Sequence, residues 1–172
     1  MEQIVIRNMQ YEDVNAVVDV YAEIFDGTYV GFGEISVGMG KAPGVSCEQA
    51  PDIFRDELHD LLRNTTSNGL FVASSGSKVI GFAVVVLQPK DIGLECWLND
   101  LGVSLNWQKQ GVGQKLMEKV FDWAFQEKGA KYCLLESGVK NKAAHKLFER
   151  MGFQPLSTVF WKGSCYSTIT EE

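Results

Sequence analysis

Leu101-Gly-Val-Ser-Leu-Asn-Trp-Gln-Lys-Gln-Gly-Val-Gly-Gln-Lys-Leu116 is the stretch around which the rest of the chain arranges itself. A strand-like apolar run, Glu95–Val103, ends at its beginning. Gly111 and Gly113 then open an amphipathic helix that runs to about Glu127. Val112, Leu116, Val120 and Ala124 recur at helical spacing, with Met117 and Phe121 beside them. The start of a helix bares N–H groups and the positive end of the dipole. Glycine there lets the backbone come close to an anion. Lys109 and Lys115 add positive charge. The stretch therefore predicts a cradle for a phosphate or diphosphate. It is not the usual nucleoside-triphosphate loop, because G-x-x-x-x-G-K-[ST] is absent. The dinucleotide pattern G-x-G-x-x-G fails at Leu116. Taken by itself, the loop can also be read as an ordinary strand–helix turn.

Working outward, the period of the apolar residues alternates between helix and strand. Val5–Arg7 reads as a short strand and Tyr11–Phe25 as a helix. Residues 26–46 hold six glycines and a proline, which rules out a long regular element there. A loop of that length in a small domain is usually functional or mobile. Gln49–Arg63 reads as a second helix. Leu70–Ser74 and Lys78–Leu87 form a hairpin about Ser75-Gly76-Ser77. Downstream of the central helix come a strand, Tyr132–Ser137, and a helix, Lys142–Met151, that ends at Gly152 as a left-handed cap. Phe153–Phe160 and Ser164–Thr168 read as a last hairpin about Lys162-Gly163. Hairpins combined with a strand–helix–strand crossover predict a mixed α/β sheet.

The chain has 172 residues, 45% hydrophobic and 22% charged, which fits one globular domain, 1–172. No run of about 18 apolar residues is present, so no membrane-spanning helix is expected. The start lacks the pattern of a signal peptide, so a cytoplasmic location is expected. Cys47, Cys96, Cys133 and Cys165 lie far apart and form no C-x-x-C pair. With only His59 and His145 as histidines, no metal site is expected. The net charge is −6, distributed unevenly. Residues 1–100 carry six Lys/Arg against 15 Asp/Glu, whereas residues 101–150 carry nine against five. That asymmetry suits an anionic ligand at the basic segment and cationic partners elsewhere. It disfavours nucleic acid.

Two motifs now coincide. Gln108-Lys-Gln-Gly111-Val-Gly113 follows a strand ending in Val103, and Asn141-x-x-Ala144 is followed by Leu147-Phe148 and Gly152-Phe153. In both, and in the order of its elements, the chain resembles the GNAT superfamily of N-acetyltransferases. The resemblance covers nearly the whole chain and is strongest over residues 95–153. It implies a mixed, mostly antiparallel sheet of about seven strands, with helices on both faces and the fourth and fifth strands splayed apart. It implies acetyl-coenzyme A as co-substrate, with no metal. Gln108 would belong to the cofactor site, and the diphosphate would be held by backbone N–H groups of Lys109, Gln110, Gly111, Val112, Gly113 and Gln114. The pantetheine arm would pair with Leu101, Gly102 and Val103, and meet Asn141, Ala144 and Phe148.

The implied reaction is direct attack of an amine, on a small molecule or a protein, on the thioester. The resemblance offers two acids as the base, Glu136 and Asp100. Glu136 can equally be a solvated strand-end acid. Asp100 can equally bond local backbone, and alternation puts it on the face of Cys96 and Leu98, which is odd for a buried acid unless a bulge or a working site intervenes. Many relatives carry at position 148 a tyrosine that protonates the leaving thiolate, and this chain has Phe148. Tyr132, Cys133, His145, Tyr166 or water are the substitutes considered. Tyr29, Phe32, Trp97, Trp161 and Tyr166 are candidate walls of the acceptor site, and simple core is the plainer reading of each. Phe148 keeps a second reading open, a non-catalytic acyl-coenzyme A sensor. A homodimer is left open.

Overall fold

The β-branched run Lys78–Lys90 makes the longest strand and becomes the spine of the sheet. The computed structural model describes residues 3–162. In chain order the elements are β1 (Ile4–Asn8), α1 (Val14–Ile24), α2 (Phe32–Ser36), β2 (Gly40–Ala42), β3 (Val45–Ser46) and α3 (Ala50–Leu62). They continue with β4 (Asn68–Ser75), β5 (Lys78–Lys90), β6 (Gly93–Val103), α4 (Val112–Phe121), β7 (Tyr132–Leu135) and α5 (Lys142–Arg150). A π-helical turn, Asp122–Glu127, prolongs α4.

The central sheet has the order β1-β4-β5-β6-β7. Its first four strands are antiparallel, and β7 joins β6 in parallel through the α4 crossover. This is the mixed, mostly antiparallel α/β architecture that was expected. The central sheet counts five strands, and β2 and β3 form a separate two-stranded sheet. Residues 153–160, read as a strand, form none. Its hairpin partner Ser164–Thr168 lies outside the described residues.

Alternation along β5 sends side chains to two cores. Phe82 and Val84 meet Val17, Tyr21, Phe54 and Leu58 of α1 and α3. Ala83, Val85 and Leu87 meet Val112, Leu116, Val120 and Phe148 of α4 and α5. Helices thus cover both faces, and each fully buried large side chain contributes about 1.5–3 kcal/mol.

Two irregularities in β6 place the site. Pairing with β7 stops at Leu98↔Leu135, and among the described residues no strand continues it along residues 99–103. These are the splayed strands expected from the sequence. Register with β5 slips between Val85↔Leu98 and Val84↔Asp100, so Asn99 is an extra residue, a β-bulge. The bulge reverses the alternation. Leu98 faces the α4 side with Val85, whereas Asp100 faces the α1–α3 side with Val84. The conflict in the sequence pattern at Asp100 is resolved by that inserted residue.

Candidate active site

The loop after β6 folds on its own backbone. Trp107 N–H donates to Ser104 O at 2.8 Å, and Gln108 Nε2 donates to Val103 O at 3.1 Å. Lys109 has φ +59° and Gly111 φ +81°, two left-handed residues that turn the chain into α4. The first helical bond runs from Lys115 N–H to Gly111 O at 3.0 Å. Among the described residues, no backbone carbonyl receives the N–H groups of residues 109–114. Gly111 has no side-chain cap, and a Cβ built on it would meet nothing within 4 Å. Bare amides, open space over Gly111 and exposed Lys109 and Lys115 fit a diphosphate.

Gly113 serves another purpose. A Cβ there would meet Leu147 Cδ2 at 3.1 Å, so its bareness lets α4 pack on α5. Asn141 also has a local role. It caps α5, its Oδ1 accepting the Ala144 N–H at 3.4 Å. Leu101 and Val103 pack toward the α4 core, and Gly102 faces α1, where any Cβ would collide with the Phe82 ring and Ile24. The edge of residues 101–103 on the β7 side is left for another extended backbone.

Between the separating ends of β6 and β7 lies a cavity of about 40 Å³, the scale of a water or two. Asn99 and Leu101 line it from β6, Glu136 and Ser137 from beyond β7, and Asn141, Ala144 and Phe148 from α5. Tyr29 and Glu34 close it from the α1–α2 region. The structure thus brings Asn141, Ala144, Phe148 and Leu101 to one cavity and places the residue 108–114 loop at the head of α4. Phe148 is buried, edge-on to Phe153 at 5.9 Å. A wider groove of about 790 Å³ lies along β7, lined by Trp97, Phe121, Phe125 and His145 among others.

The two candidate acids have different surroundings. Glu136 is exposed, and its Oε1 accepts N–H bonds from Phe32 at 2.6 Å and Gly33 at 3.3 Å at the start of α2. Asp100 is buried, and its Oδ1 accepts the Tyr29 hydroxyl at 3.1 Å. Burial, then the charges of Glu57 and Glu34, push the Asp100 carboxyl up to about 8, while the Tyr29 bond pulls it down. Glu57, bonded by Asn99 Nδ2 at 3.5 Å, is raised by burial and by Glu34. Glu34, which accepts the Gly31 N–H at 2.6 Å, is raised by burial and, more weakly, by Glu136. The carboxylates of Glu34 (α2), Glu57 (α3) and Asp100 (β6) therefore feel one another's charge, and Tyr29 bonds the last of them. Sequence reading named Asp100 but missed Glu34, Glu57 and Asn99, which no local motif connects.

Of the aromatic residues expected to line the acceptor site, Tyr29 is at the cavity, Phe32 is exposed beside Glu136, and Trp97 faces the wider groove. Trp161 is exposed, and Tyr166 lies outside the described residues. Among the described residues, no group of three His, Cys, Asp or Glu could hold a metal ion, and no helix is long and apolar enough to cross a membrane.

Residues 41–153 match the family model described as the acetyltransferase (GNAT) family. No protein with a curated description matches the sequence. Several solved structures share the fold. A transcriptional regulator from Bacillus halodurans C-125 aligns with a TM-score of 0.70 at 16% identity, over 94% of this chain and 99% of its own. Glucosamine-6-phosphate N-acetyltransferase from Arabidopsis thaliana aligns with a TM-score of 0.67 at 15% identity, over 95% and 99%. The aminoglycoside N-acetyltransferase AAC(6')-Iy, in complex with coenzyme A, aligns with a TM-score of 0.68 at 16% identity, over 96% and 97%.

Proposed function

The chain belongs to the acetyltransferase (GNAT) family, and on that premise we propose that it is an acetyl-coenzyme A-dependent N-acetyltransferase with Asp100 as its base. The observation that carries this reading is the bulge at Asn99, which turns Asp100 into a buried pocket beside the opening between β6 and β7. An alkyl amine titrates near ~10.4 and must lose a proton as it bonds to the thioester carbon. A carboxyl near 8 sits close to the working pH, where a general base is most effective. Glu136 is the weaker candidate, because its oxygen is already held by two backbone amides.

The residue 109–114 amides would hold the diphosphate, and the bare edge of residues 101–103 would pair with the pantetheine arm. An N–H on that edge would face the thioester oxygen and stabilise the charge that develops there, an effect worth about 2.7–4 kcal/mol in other enzymes. Glu34, Glu57 and Asp100, facing one another without a cation among the described residues, favour a positively charged amine as acceptor. Two of the structural neighbours act on amino sugars or aminoglycosides by name, which supports a small-molecule amine. A cytoplasmic location and a homodimer remain expectations of the sequence.

The deciding experiment is coenzyme A release across a panel of polyamines, aminoglycosides, amino sugars and peptide amines. Release with cationic acceptors supports the reading, and preference for neutral or anionic acceptors defeats the acceptor class. Phe148, which offers no proton, favours a second reading as a non-catalytic acyl-coenzyme A sensor. Tight binding of acetyl-coenzyme A with no thiol release to any amine would establish that reading instead.

A further inference from the structure

With phenylalanine at position 148, the departing thiolate lacks the donor that the family pattern supplies there. Of the substitutes considered from sequence, Tyr166 lies outside the described residues, and Tyr132, Cys133 and His145 are badly placed. Tyr132 stands opposite Glu95, at the far end of the β6–β7 ladder from the opening. Cys133 pairs with Cys96 in the same ladder, and His145 lines the wider groove rather than the narrow cavity. Among the described residues, one phenol lines the narrow cavity together with Asn141 and Phe148, and it comes from the opposite wall: Tyr29.

Tyr29 is held firmly. Its ring stands edge-on to Tyr21 at 6.1 Å and to Phe25 at 5.5 Å, and its hydroxyl donates to Asp100 Oδ1 at 3.1 Å. That distance is within the range of proton transfer between a positioned acid and base. Tyr29 thus both lines the cavity and bonds Asp100, so one side chain links the carboxyl to the cavity wall.

We propose that Tyr29 is the general acid of this enzyme, and that Asp100 and Tyr29 act together as a proton relay. The step balances as follows. The amine nitrogen, which has shed its extra proton to solvent and arrives neutral, bonds to the thioester carbon and gives one proton to Asp100. The carbon–sulfur bond breaks, and its electron pair stays on sulfur. The Tyr29 hydroxyl proton passes to that sulfur, and the Asp100 proton passes to the Tyr29 oxygen. The products are the acetamide and free coenzyme A thiol, with both side chains restored and no other reactant consumed.

The order of proton affinities favours a relay over Tyr29 acting alone. Burial, then Asp100, Tyr21 and Glu34, raise the phenol well above 10, so it is protonated at neutral pH but reluctant to stay ionised. Asp100, near 8, lies close to a thiol at ~8.5. Burial thus raises Asp100 toward the range of a thiol, which favours return of its proton through Tyr29 to sulfur.

This inference rests on the transferase reading above, and the test separates the two. Tyr29→Phe keeps the ring packing and removes only the hydroxyl. Its kcat is expected to fall about 100-fold or more, with acetyl-coenzyme A affinity by calorimetry unchanged. Adding Phe148→Tyr to that variant returns a phenol to the opposite wall of the same cavity and is expected to restore much of kcat. A Tyr29→Phe enzyme with wild-type kcat and pH profile overturns the relay. So does a parallel loss of cofactor affinity and activity that Phe148→Tyr leaves unrepaired, which would make Tyr29 a packing residue. A wild-type protein that releases coenzyme A with no amine fails the transferase reading itself, whatever Tyr29 does.

Discussion

The head of α4 and the surroundings of Asp100 both lie at the C-terminal end of β6, yet they are built by opposite means. The first is backbone: six consecutive residues, 109–114, whose N–H groups meet no backbone carbonyl among the described residues. The second is side chain: Tyr29, Glu34, Glu57 and Asp100 come from four separate segments and meet only after folding. A backbone site tolerates most side chains but depends on its glycine. A side-chain site depends on every charge it contains, because burial couples each carboxyl to the others. The difference suits a donor whose diphosphate is invariant and an acceptor that varies between relatives.

The sharpest way to break the comparison is Asp100→Asn. It is expected to lower kcat/KM about 100- to 10,000-fold and to leave acetyl-coenzyme A binding in place. In the wild type, kcat/KM should rise with pH through about 8 as Asp100 ionises. That limb should vanish in Asp100→Asn, and its persistence would remove Asp100 as base. Stability moves the other way. A carboxyl raised on folding contributes stability below its unfolded value of 3.8 and loses it as pH rises through about 8. Thermal melts of Asp100→Asn should therefore gain on the wild type as pH rises from 3.8 to about 8 and level off above that.

Gly111→Val attacks the other half. A β-branched residue at φ +81° costs about 1–3 kcal/mol of strain and fills the open space above the amides. Acetyl-coenzyme A affinity should fall by at least about tenfold in a titration. Unchanged binding would mean that the diphosphate lies elsewhere. Glu57→Gln is a subtler probe. Removing its charge should lower the Asp100 carboxyl, moving the rate limb to lower pH, and should raise KM for a cationic amine several-fold, roughly as an exposed-to-partly-buried charge contact predicts. A limb that stays put would show the two carboxyls to be uncoupled. Glu136→Gln should have the smallest effect. It should lose about 1 kcal/mol of capping at α2 and keep the wild-type pH profile, and loss of the limb here would instead make Glu136 the base.

The same contrast explains what the sequence made legible. Helical and strand periods showed α1, α3, β4–β6, α4 and α5, because each buries a regular stripe. The α4 loop was readable because its chemistry lies in consecutive residues. The reason for Gly113 was not, since Leu147 reaches it only through helix packing. Nor was the facing of Asp100, because one inserted residue at Asn99 reverses a strand's alternation without any sign in composition. Phe153–Phe160 carries a strand-like pattern, but a strand also needs a partner edge, and residues 153–160 pair with none among those described.

Glu136 clasps the first amides of α2, and Gly138 sits so close to Thr28 O that a Cβ would meet it at 2.7 Å. On the proposed reading, the wall that would face the amine is thereby fastened to the strand end that would face the thioester. Anything that nudges β7 as the donor enters must tug on that wall, and linkage requires the tug to be mutual. Occupancy of one half should therefore be felt as a changed dissociation constant in the other, with the two substrates arriving as a cooperative pair rather than as strangers.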